Sequence, residues 1–309
     1  MLSYCQKITE RSFKRLGLAS LGDSPVYRVA RSYIEVLKPR ETGLLTFIGV
    51  CTAIIAGDGY PPLGLLLLTL VAVLVASAGA NGLTNYLDRD VDARMQRTKH
   101  RALPSKRIDP PGKVLPLTIG LAIIGLGLAW LLHPLAFLFD LIGTTAAVIW
   151  RKKVTCVFPQ GMIASCTPVL MGWFAIKPAF SWELILLCIL IAVWLPSHIW
   201  SIMIARRDDY LNAGISYFPV NREAKNTVKI LFIFCLVLYA ASIGLYFVGD
   251  FGWLYLVVAN LLGIIIVYGS LRFVVSGASQ DAWKLYKLSA FPYLGLLFLA
   301  MCLDIWLLV

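Results

Sequence analysis

Apolar residues along this chain gather in long runs that are separated by short polar or charged segments. Each run approaches the length that an α-helix needs to cross a bilayer, which is about 20 residues. Glycine, proline and serine inside several runs are compatible with helices whose neighbours cover the backbone. The pattern predicts an all-α, polytopic membrane helical bundle of about nine transmembrane helices. The predicted spans are residues 42–56, 63–87, 114–132, 134–150, 161–176, 182–205, 227–248, 253–274 and 288–309.

Composition agrees with a membrane protein. Of the 309 residues, 59% are hydrophobic and the mean hydropathy is +0.77, whereas soluble domains are about 45–50% apolar. The formal net charge of +11 suits loops that lie against an anionic lipid bilayer, and we expect no nucleic-acid partner. We divide the chain into a basic cytoplasmic lead-in, residues 1–41, and a nine-helix transmembrane domain, residues 42–309.

The distribution of cations predicts the orientation in the membrane. Outside the basic lead-in, nearly all lysine and arginine residues follow the even-numbered runs, and Lys177 is the only one in the connections after odd-numbered runs. By the positive-inside rule, the N-terminus and the loops after even-numbered runs are cytoplasmic, and the C-terminus is outside. Residues 1–32 are basic without an apolar signal core, and Glu10 and Asp23 are unlike a mitochondrial presequence. This favours a prokaryotic plasma membrane over the mitochondrial inner membrane.

A first acidic stretch follows the second run. Asp88 and Asp92 are four residues apart, so they share one face if the helix continues. Carboxylates at membrane depth indicate a functional site. They can hold Mg²⁺ while cations further along bind phosphate oxygens, an arrangement suited to a diphosphate. The alternative is a solvated helix end followed by an ordinary cationic loop. The cations that follow are Arg89, Arg94, Arg97, Lys99, Arg101, Lys106 and Arg107.

A second acidic stretch follows the sixth run. His198 and Asp209 are related by helical spacing through Ile202 and Ala205, which predicts one continuous face. Asp208 precedes Asp209, and residues 213–214 are expected to end the helix. Both acidic stretches lie on the same predicted membrane face, so we expect them to form opposed walls of one cytoplasmic pocket. The alternative for His198 is a hydrogen-bonded residue of the bundle.

These segments resemble the UbiA superfamily of intramembrane prenyltransferases, and within it the haem O synthase branch. The chain departs from the family at Thr84, where asparagine is usual, and in the run ISYFPV at 215–220. The segments that carry the resemblance are LKPRETGLL (37–45), NYLDRDVDARMQRTKHRALPSKRI (85–108), RKKVT (151–155), PVLMGW (168–173), PSHIW (196–200) and RRDDYLNAGISYFPV (206–220).

The resemblance implies a catalytic, Mg²⁺-binding set of aspartates, a set of cations for the isoprenyl diphosphate, and a set of acceptor contacts. The catalytic and metal residues are Asp88, Asp92, Asp208 and Asp209. The diphosphate-binding residues are Arg94, Arg97, Arg101, Lys152, Lys153, Lys38 and Arg40. The acceptor-binding residues are His198, Asn81, Asn85 and Tyr210.

The expected reaction moves a farnesyl group from its diphosphate to a vinyl group of haem b. Two alternatives remain open from the sequence. In the first, the enzyme class holds, but the acceptor is a quinone precursor, a chlorin or a glycerol-phosphate lipid. In the second, the protein is a transporter or channel whose acidic residues bind a cation, since transporters often place charges on broken helices. The position of the carboxylates at predicted cytoplasmic helix ends, beside cations, favours the enzyme.

Overall fold

The computed structural model describes residues 24–149, 159–216, 218–221 and 224–308. These residues form α-helices and one 3₁₀ turn, with no β-strand among them, so the all-α prediction is confirmed. The helices are α1 Pro25–Val36, α2 Pro39–Ala56, α3 Leu63–Asp92, α4 Leu115–Leu132, α5 Pro134–Ile149, α6 Gln160–Phe174, α7 Trp182–Ala205, α8 Arg207–Asn212, α9 Ala224–Val248, α10 Trp253–Ser276, α11 Ser279–Ser289 and α12 Phe291–Leu308.

Helices α2–α7, α9, α10 and α12 coincide with the nine predicted spans. Within the described residues, seven segments are long and apolar enough to cross a membrane. Helices α5 and α6 are shorter, with 16 and 15 residues. The membrane bundle is therefore confirmed, while the number of nine crossings stays a prediction.

The bundle closes on itself. Among the described residues, nine helices form a closed circuit in which each one packs against the next, and the last, α12, packs against the first, α2. In order, these helices are α2, α3, α4, α5, α6, α7, α9, α10 and α12. The α3–α4 contact is especially close, because a Cβ on Gly79 would lie 2.5 Å from the Ala122 nitrogen and one on Gly125 would lie 2.6 Å from the Ala76 Cα. Small residues allow this approach between membrane helices, where packing rather than hydrophobic burial drives association.

Two helices outside this circuit matter for the site. Helix α1 belongs to the basic lead-in and begins after Ser24, whose side chain accepts a hydrogen bond from the Tyr27 N–H. Helix α11 corrects the sequence prediction, which made this segment a polar connection to a span beginning at residue 288. Its buried residues, including Ala282, Leu285 and Ser289, recur at helical spacing and pack against α7 and α10. The last long helix, α12, begins at Phe291.

Candidate active site

The first acidic stretch is the end of α3. This helix runs for 30 residues to Asp92, so Asp88 and Asp92 lie one turn apart on the same helix, as predicted. Asp92 is only 6% exposed, and its Oδ2 accepts a hydrogen bond from the Arg101 Nη1 at 2.9 Å. The Thr98 hydroxyl donates to the Asp92 carbonyl oxygen at 3.0 Å. The helix end and the loop that follows it are thus joined through Asp92.

The loop after α3 is ordered by helix α1. Val36 of α1 packs with Ala102, Leu103 and other buried residues in a small apolar cluster separate from the main core. Glu35 accepts a hydrogen bond from the Ala102 N–H at 3.0 Å through Oε1 and pairs with the Arg107 Nη2 at 2.7 Å through Oε2. The cation-rich loop is therefore held in one conformation on its α1 side.

The second acidic stretch contains a break that the sequence did not predict. Helix α7 ends at Ala205, Arg206 leaves the helical conformation at φ −123° and ψ 32°, and α8 starts at Arg207. The predicted continuous helical face from His198 to Asp209 is therefore wrong. After the break, the Arg207 Nε donates to the Val220 carbonyl at 3.0 Å, which directs the chain into the turn that follows α8.

The two acidic stretches meet, as expected for opposed walls of one pocket. Asp209 accepts hydrogen bonds from the Gln96 N–H at 2.7 Å through Oδ1 and from the Arg97 N–H at 3.3 Å through Oδ2. Gly214, with φ +78°, follows the end of α8, and a Cβ at this position would lie 3.2 Å from the Arg94 Nη1. Contacts across more than 110 residues of sequence therefore fix the loop against α8.

Two clefts of about 370 Å³ each flank Arg206 and Asp209, which line both of them. Because both clefts share Arg206 and Asp209, we name each one after the other segment that lines it. The loop cleft is lined by Gln96, Arg97, Arg206, Asp209 and Asn212. The α11 cleft is lined by Ile204, Ala205, Arg206, Arg207, Asp208, Asp209, Gly277 and Ser279.

The predicted diphosphate-binding cations fall into three groups. Arg94 and Arg97 lie where the two acidic stretches meet, and Arg101 is paired with Asp92. Lys38 and Arg40 lie at the start of α2, where the Lys38 Nζ donates to the Thr84 hydroxyl at 3.4 Å and Arg40 is exposed. Thr84, the departure from the family pattern, is therefore a partner of a predicted site cation. Lys152 and Lys153 lie outside the described residues.

The asparagines predicted to contact the acceptor take part in helix packing. Asn85 is 3% exposed, and its Nδ2 donates to the Val36 carbonyl at 2.9 Å. The Asn81 Nδ2 donates to the Thr42 hydroxyl at 2.9 Å. Tyr210 is also buried. The two asparagines tie α3 to α1 and α2, and contact of all three residues with an acceptor stays a prediction.

His198 lies inside a stack of aromatic rings. Its ring is stacked between Trp194, at a centroid distance of 5.0 Å, and Tyr286 of α11, at 4.6 Å. Its Nδ1 lies 3.1 Å from the Ser289 hydroxyl, and the Trp194 Nε1 donates to the Ser289 carbonyl. The bundle contacts considered as the alternative are therefore present, and a role for His198 toward an acceptor stays a prediction.

Arg206 and Trp283 are site features that the sequence analysis missed. The Arg206 guanidinium carbon lies 4.9 Å from the Trp283 ring centroid. One sequence signal could have indicated a helix here. Trp283 and Tyr286 are three residues apart among lysines, a spacing that places both rings on one helical face.

The carboxylates fit a magnesium ion that is shared with a substrate. Among the described residues, no three His, Cys, Asp or Glu side chains converge into a protein-only metal site. Mg²⁺ commonly binds through one or two carboxylates plus substrate phosphates and water, and it prefers oxygen ligands. Asp88 and Asp92 on one helix end provide such a donor set.

Comparisons with known proteins identify similar sequences and similar folds. Protoheme IX farnesyltransferases from Desulforudis audaxviator and Gloeobacter violaceus are 35% and 33% identical, over 94% and 96% of this chain and 95% of each relative. A solved structure of a digeranylgeranylglyceryl phosphate synthase superposes with a TM-score of 0.74 at 17% identity, covering 89% of this chain and 98% of that one. A UbiA homolog from Archaeoglobus fulgidus, bound to GPP and Mg²⁺, has a TM-score of 0.60 at 14% identity, covering 87% and 99%.

The two structural likenesses, at such low identity, establish the fold. The family model described as the UbiA prenyltransferase family matches residues 44–301, which include both acidic stretches and all the long helices between them. The chain belongs to the UbiA prenyltransferase family.

Proposed function

We propose that this protein transfers a farnesyl group from its diphosphate to a vinyl group of haem b, forming haem O. The observation that carries the proposal is the contact of Asp209 with the backbone of Gln96 and Arg97. It joins the second acidic stretch to the loop that bears the arginines and the Asp88–Asp92 helix end. Curated relatives named protoheme IX farnesyltransferase, at 35% and 33% identity over nearly the whole chain, support haem as the acceptor.

The donor diphosphate is assigned to the region between the two acidic stretches. Asp88 and Asp92 would hold Mg²⁺, as suggested by the Archaeoglobus fulgidus homolog bound to GPP and Mg²⁺. Arg94 and Arg97 would donate N–H groups to phosphate oxygens, where charge-assisted hydrogen bonds are strong. When bound, the metal supplies positive charge that stabilises the leaving diphosphate.

The proposed reaction breaks the C–O bond of the donor and one O–H bond of water, and it forms one C–C bond and one new C–O bond. The bond between farnesyl C1 and the diphosphate oxygen breaks, and its electron pair leaves with the diphosphate. A haem vinyl carbon bonds to C1, and water adds to the neighbouring vinyl carbon and loses a proton. The arginines stabilise the negative charge that grows on the leaving group, while the apolar bundle keeps bulk water from the allylic cation.

The protein is an integral membrane protein with seven described segments able to cross a bilayer. We place the active site on the cytoplasmic side of a prokaryotic plasma membrane, because the cations follow the even-numbered spans. In a variant without natural cysteines, Ser105→Cys should react with an impermeant reagent only from the cytoplasmic side, and Tyr60→Cys only from outside. Both residues are exposed. Labelling of both from one side would contradict this orientation.

The reaction is tested directly with purified protein in lipid nanodiscs. We expect farnesyl diphosphate, haem b and Mg²⁺ to yield a hydroxyethylfarnesyl haem and one diphosphate per product, measured by mass spectrometry. Prenylation of a phenolic acid or a lipid alcohol, without any haem product, would contradict haem as the acceptor but would still support prenyl transfer as the reaction. Cation uptake into liposomes without diphosphate release would overturn the enzyme assignment.

A further inference from the structure

Arg206 occupies a particular place between the two clefts. It is the residue at which the chain breaks between α7 and α8, and it lines both clefts together with Asp209. Its side chain is exposed, and within the described ranges the structure records no ion pair for it. Its recorded side-chain contact is with the face of Trp283. A guanidinium stacked on a ring keeps its in-plane N–H groups for an anion.

Trp283 itself is fixed by a column of rings between α7 and α11. It stacks on Tyr286 at a centroid distance of 5.2 Å and 27°. Tyr286 stacks on His198, and His198 on Trp194 with an interplanar angle of 14°. The Ser289 contacts to His198 and Trp194 fix the end of α11 against α7. The column therefore holds the Arg206 guanidinium in a defined position.

The two clefts are suited to different anions. The loop cleft lies between the acidic stretches, where the proposed function places the diphosphate. The α11 cleft is lined by Gly277 and Ser279, and no residue of the first acidic loop lines it. Asp209 directs both carboxylate oxygens to loop N–H groups. The α11 cleft is lined by two arginines, Arg206 and Arg207, and two aspartates, Asp208 and Asp209, so its candidate anion site is the Arg206 guanidinium itself and not a net positive charge.

We propose that Arg206, held on Trp283, binds a carboxylate of the acceptor at the α11 cleft and so selects acceptors that carry acidic side chains on a flat ring. This inference rests on the proposed function, because the acceptor there is haem, a planar macrocycle with two propionates. Arginine pairs with carboxylates through two parallel N–H bonds, and the half-buried Trp283 ring supports the guanidinium that would form them.

The test compares haem with its dimethyl ester, which keeps the macrocycle and removes both carboxylate charges. Binding is measured by absorbance titration in nanodiscs for wild type and Arg206→Gln. Wild type should bind haem about 10- to 100-fold more tightly than the ester, the range for losing a charge-assisted hydrogen bond. Arg206→Gln should bind the two equally. Inorganic pyrophosphate with Mg²⁺ should bind both proteins alike.

Three further variants separate the guanidinium from its support. Arg206→Lys keeps the charge but not the planar fork, so it should restore part of the preference for haem. Trp283→Leu should reduce the preference although Arg206 is present, and Trp283→Phe should retain most of it. Lys284→Gln is the matched control, because it removes a cation of α11 that pairs with Asp281, and it should leave the preference unchanged. Circular dichroism and thermal unfolding establish that each variant is folded.

The outcomes separate the inference from the proposed function. If wild type converts haem to product but Arg206→Gln keeps the full preference for haem over the ester, only the inference is wrong. The inference also fails if Arg206→Gln mainly weakens pyrophosphate binding, which would assign Arg206 to the diphosphate. If wild type neither binds nor prenylates haem, the proposed acceptor is wrong and the inference is overturned with it.

Discussion

The two acidic stretches have similar compositions but are built differently. In the first, Asp88 and Asp92 continue a long helix without interruption. In the second, the helix breaks at Arg206, and Asp208 and Asp209 lie in the first turn of the six-residue helix α8. One stretch places its carboxylates on a rigid element of the bundle. The other places them on a short helix whose position depends on contacts with the first.

This difference indicates a division of labour. Asp92 is held at the end of α3 by the charged side chain of Arg101. Asp209, in contrast, uses both of its oxygens to receive N–H groups of the first loop. Rigid elements position reacting groups more accurately than loops do. We therefore infer that the first stretch carries the metal-dependent chemistry and that Asp209 mainly positions the loop.

The largest effect should come from the first stretch. Asp88→Asn or Asp92→Asn removes a carboxylate charge at nearly constant size, so the proposed Mg²⁺ site would lose a ligand and would hold the diphosphate less firmly. We expect kcat/KM for farnesyl transfer to fall by about 10²–10³-fold or more, the scale for losing one electrostatic stabiliser of a transition state. Turnover in nanodiscs, measured against Mg²⁺ concentration, checks this expectation.

A neighbouring aspartate gives the control. Asp90 lies on the same helix end, and its side chain is 78% exposed and pairs with Arg89. Asp90→Asn therefore removes the same charge from the same region without touching the proposed ligands, and it should change kcat/KM by less than about twofold, as exposed ion pairs contribute little. Near-normal turnover in both Asp88→Asn and Asp92→Asn would remove the metal-site assignment.

The second effect should be smaller and of a different kind. Asp209→Asn keeps one acceptor oxygen but turns an amide donor toward the Gln96 or Arg97 N–H. Losing a hydrogen bond to a charged group corresponds to about a 10- to 100-fold loss of kcat/KM. Because the loop is loosened, cleavage by trypsin within residues 94–107 should also become faster, whereas Asp88→Asn should leave it unchanged.

Asp208 tests the same inference from the adjacent position. It is exposed and lines only the α11 cleft. If Asp209 is the positioning residue, Asp208→Asn should leave the trypsin sensitivity of the loop as in wild type. If Asp209→Asn abolishes turnover with no change in loop cleavage, then Asp209 acts on the substrate or metal directly, and the division of labour is wrong.

Much of the fold could be predicted from the sequence, because lipid imposes one strong rule. Backbone groups in a bilayer must be paired internally, and a single long apolar run achieves this as a helix, so such runs correspond to helices such as Leu63–Asp92 and Trp182–Ala205. Helix α11 was missed, because its polar residues obscure an apolar face of only a few side chains, including Ala282 and Leu285. Its place in the fold depends on tertiary packing against α7.

The candidate site was predicted in part. The residue types and the pairing of two acidic stretches followed from the charges near helix ends, and the structure brings Asp209 to the Arg97 backbone. The break at Arg206 could not be predicted, since its flanking residues are compatible with a continuous helix. The packing roles of Asn81 and Asn85 also depend on partners about 40 to 50 residues away. The spacing of residues in the sequence shows which side chains share one face of a helix, but it does not show which distant residues they contact.

The smallest effect concerns the other side of the first loop, where α1 braces it through Glu35. The Glu35–Arg107 pair is formed by side chains that are 35% and 39% exposed, so it should contribute only about 0.2–1 kcal/mol. In Glu35→Gln the amide oxygen can still accept the Ala102 N–H, which Glu35 receives at 3.0 Å. We expect kcat/KM and loop cleavage by trypsin to change by less than about threefold, and about 1 M salt should remove the difference by screening the pair. If Glu35→Gln instead loosens the loop as much as Asp209→Asn does, then α1 rather than α8 organises the first acidic stretch.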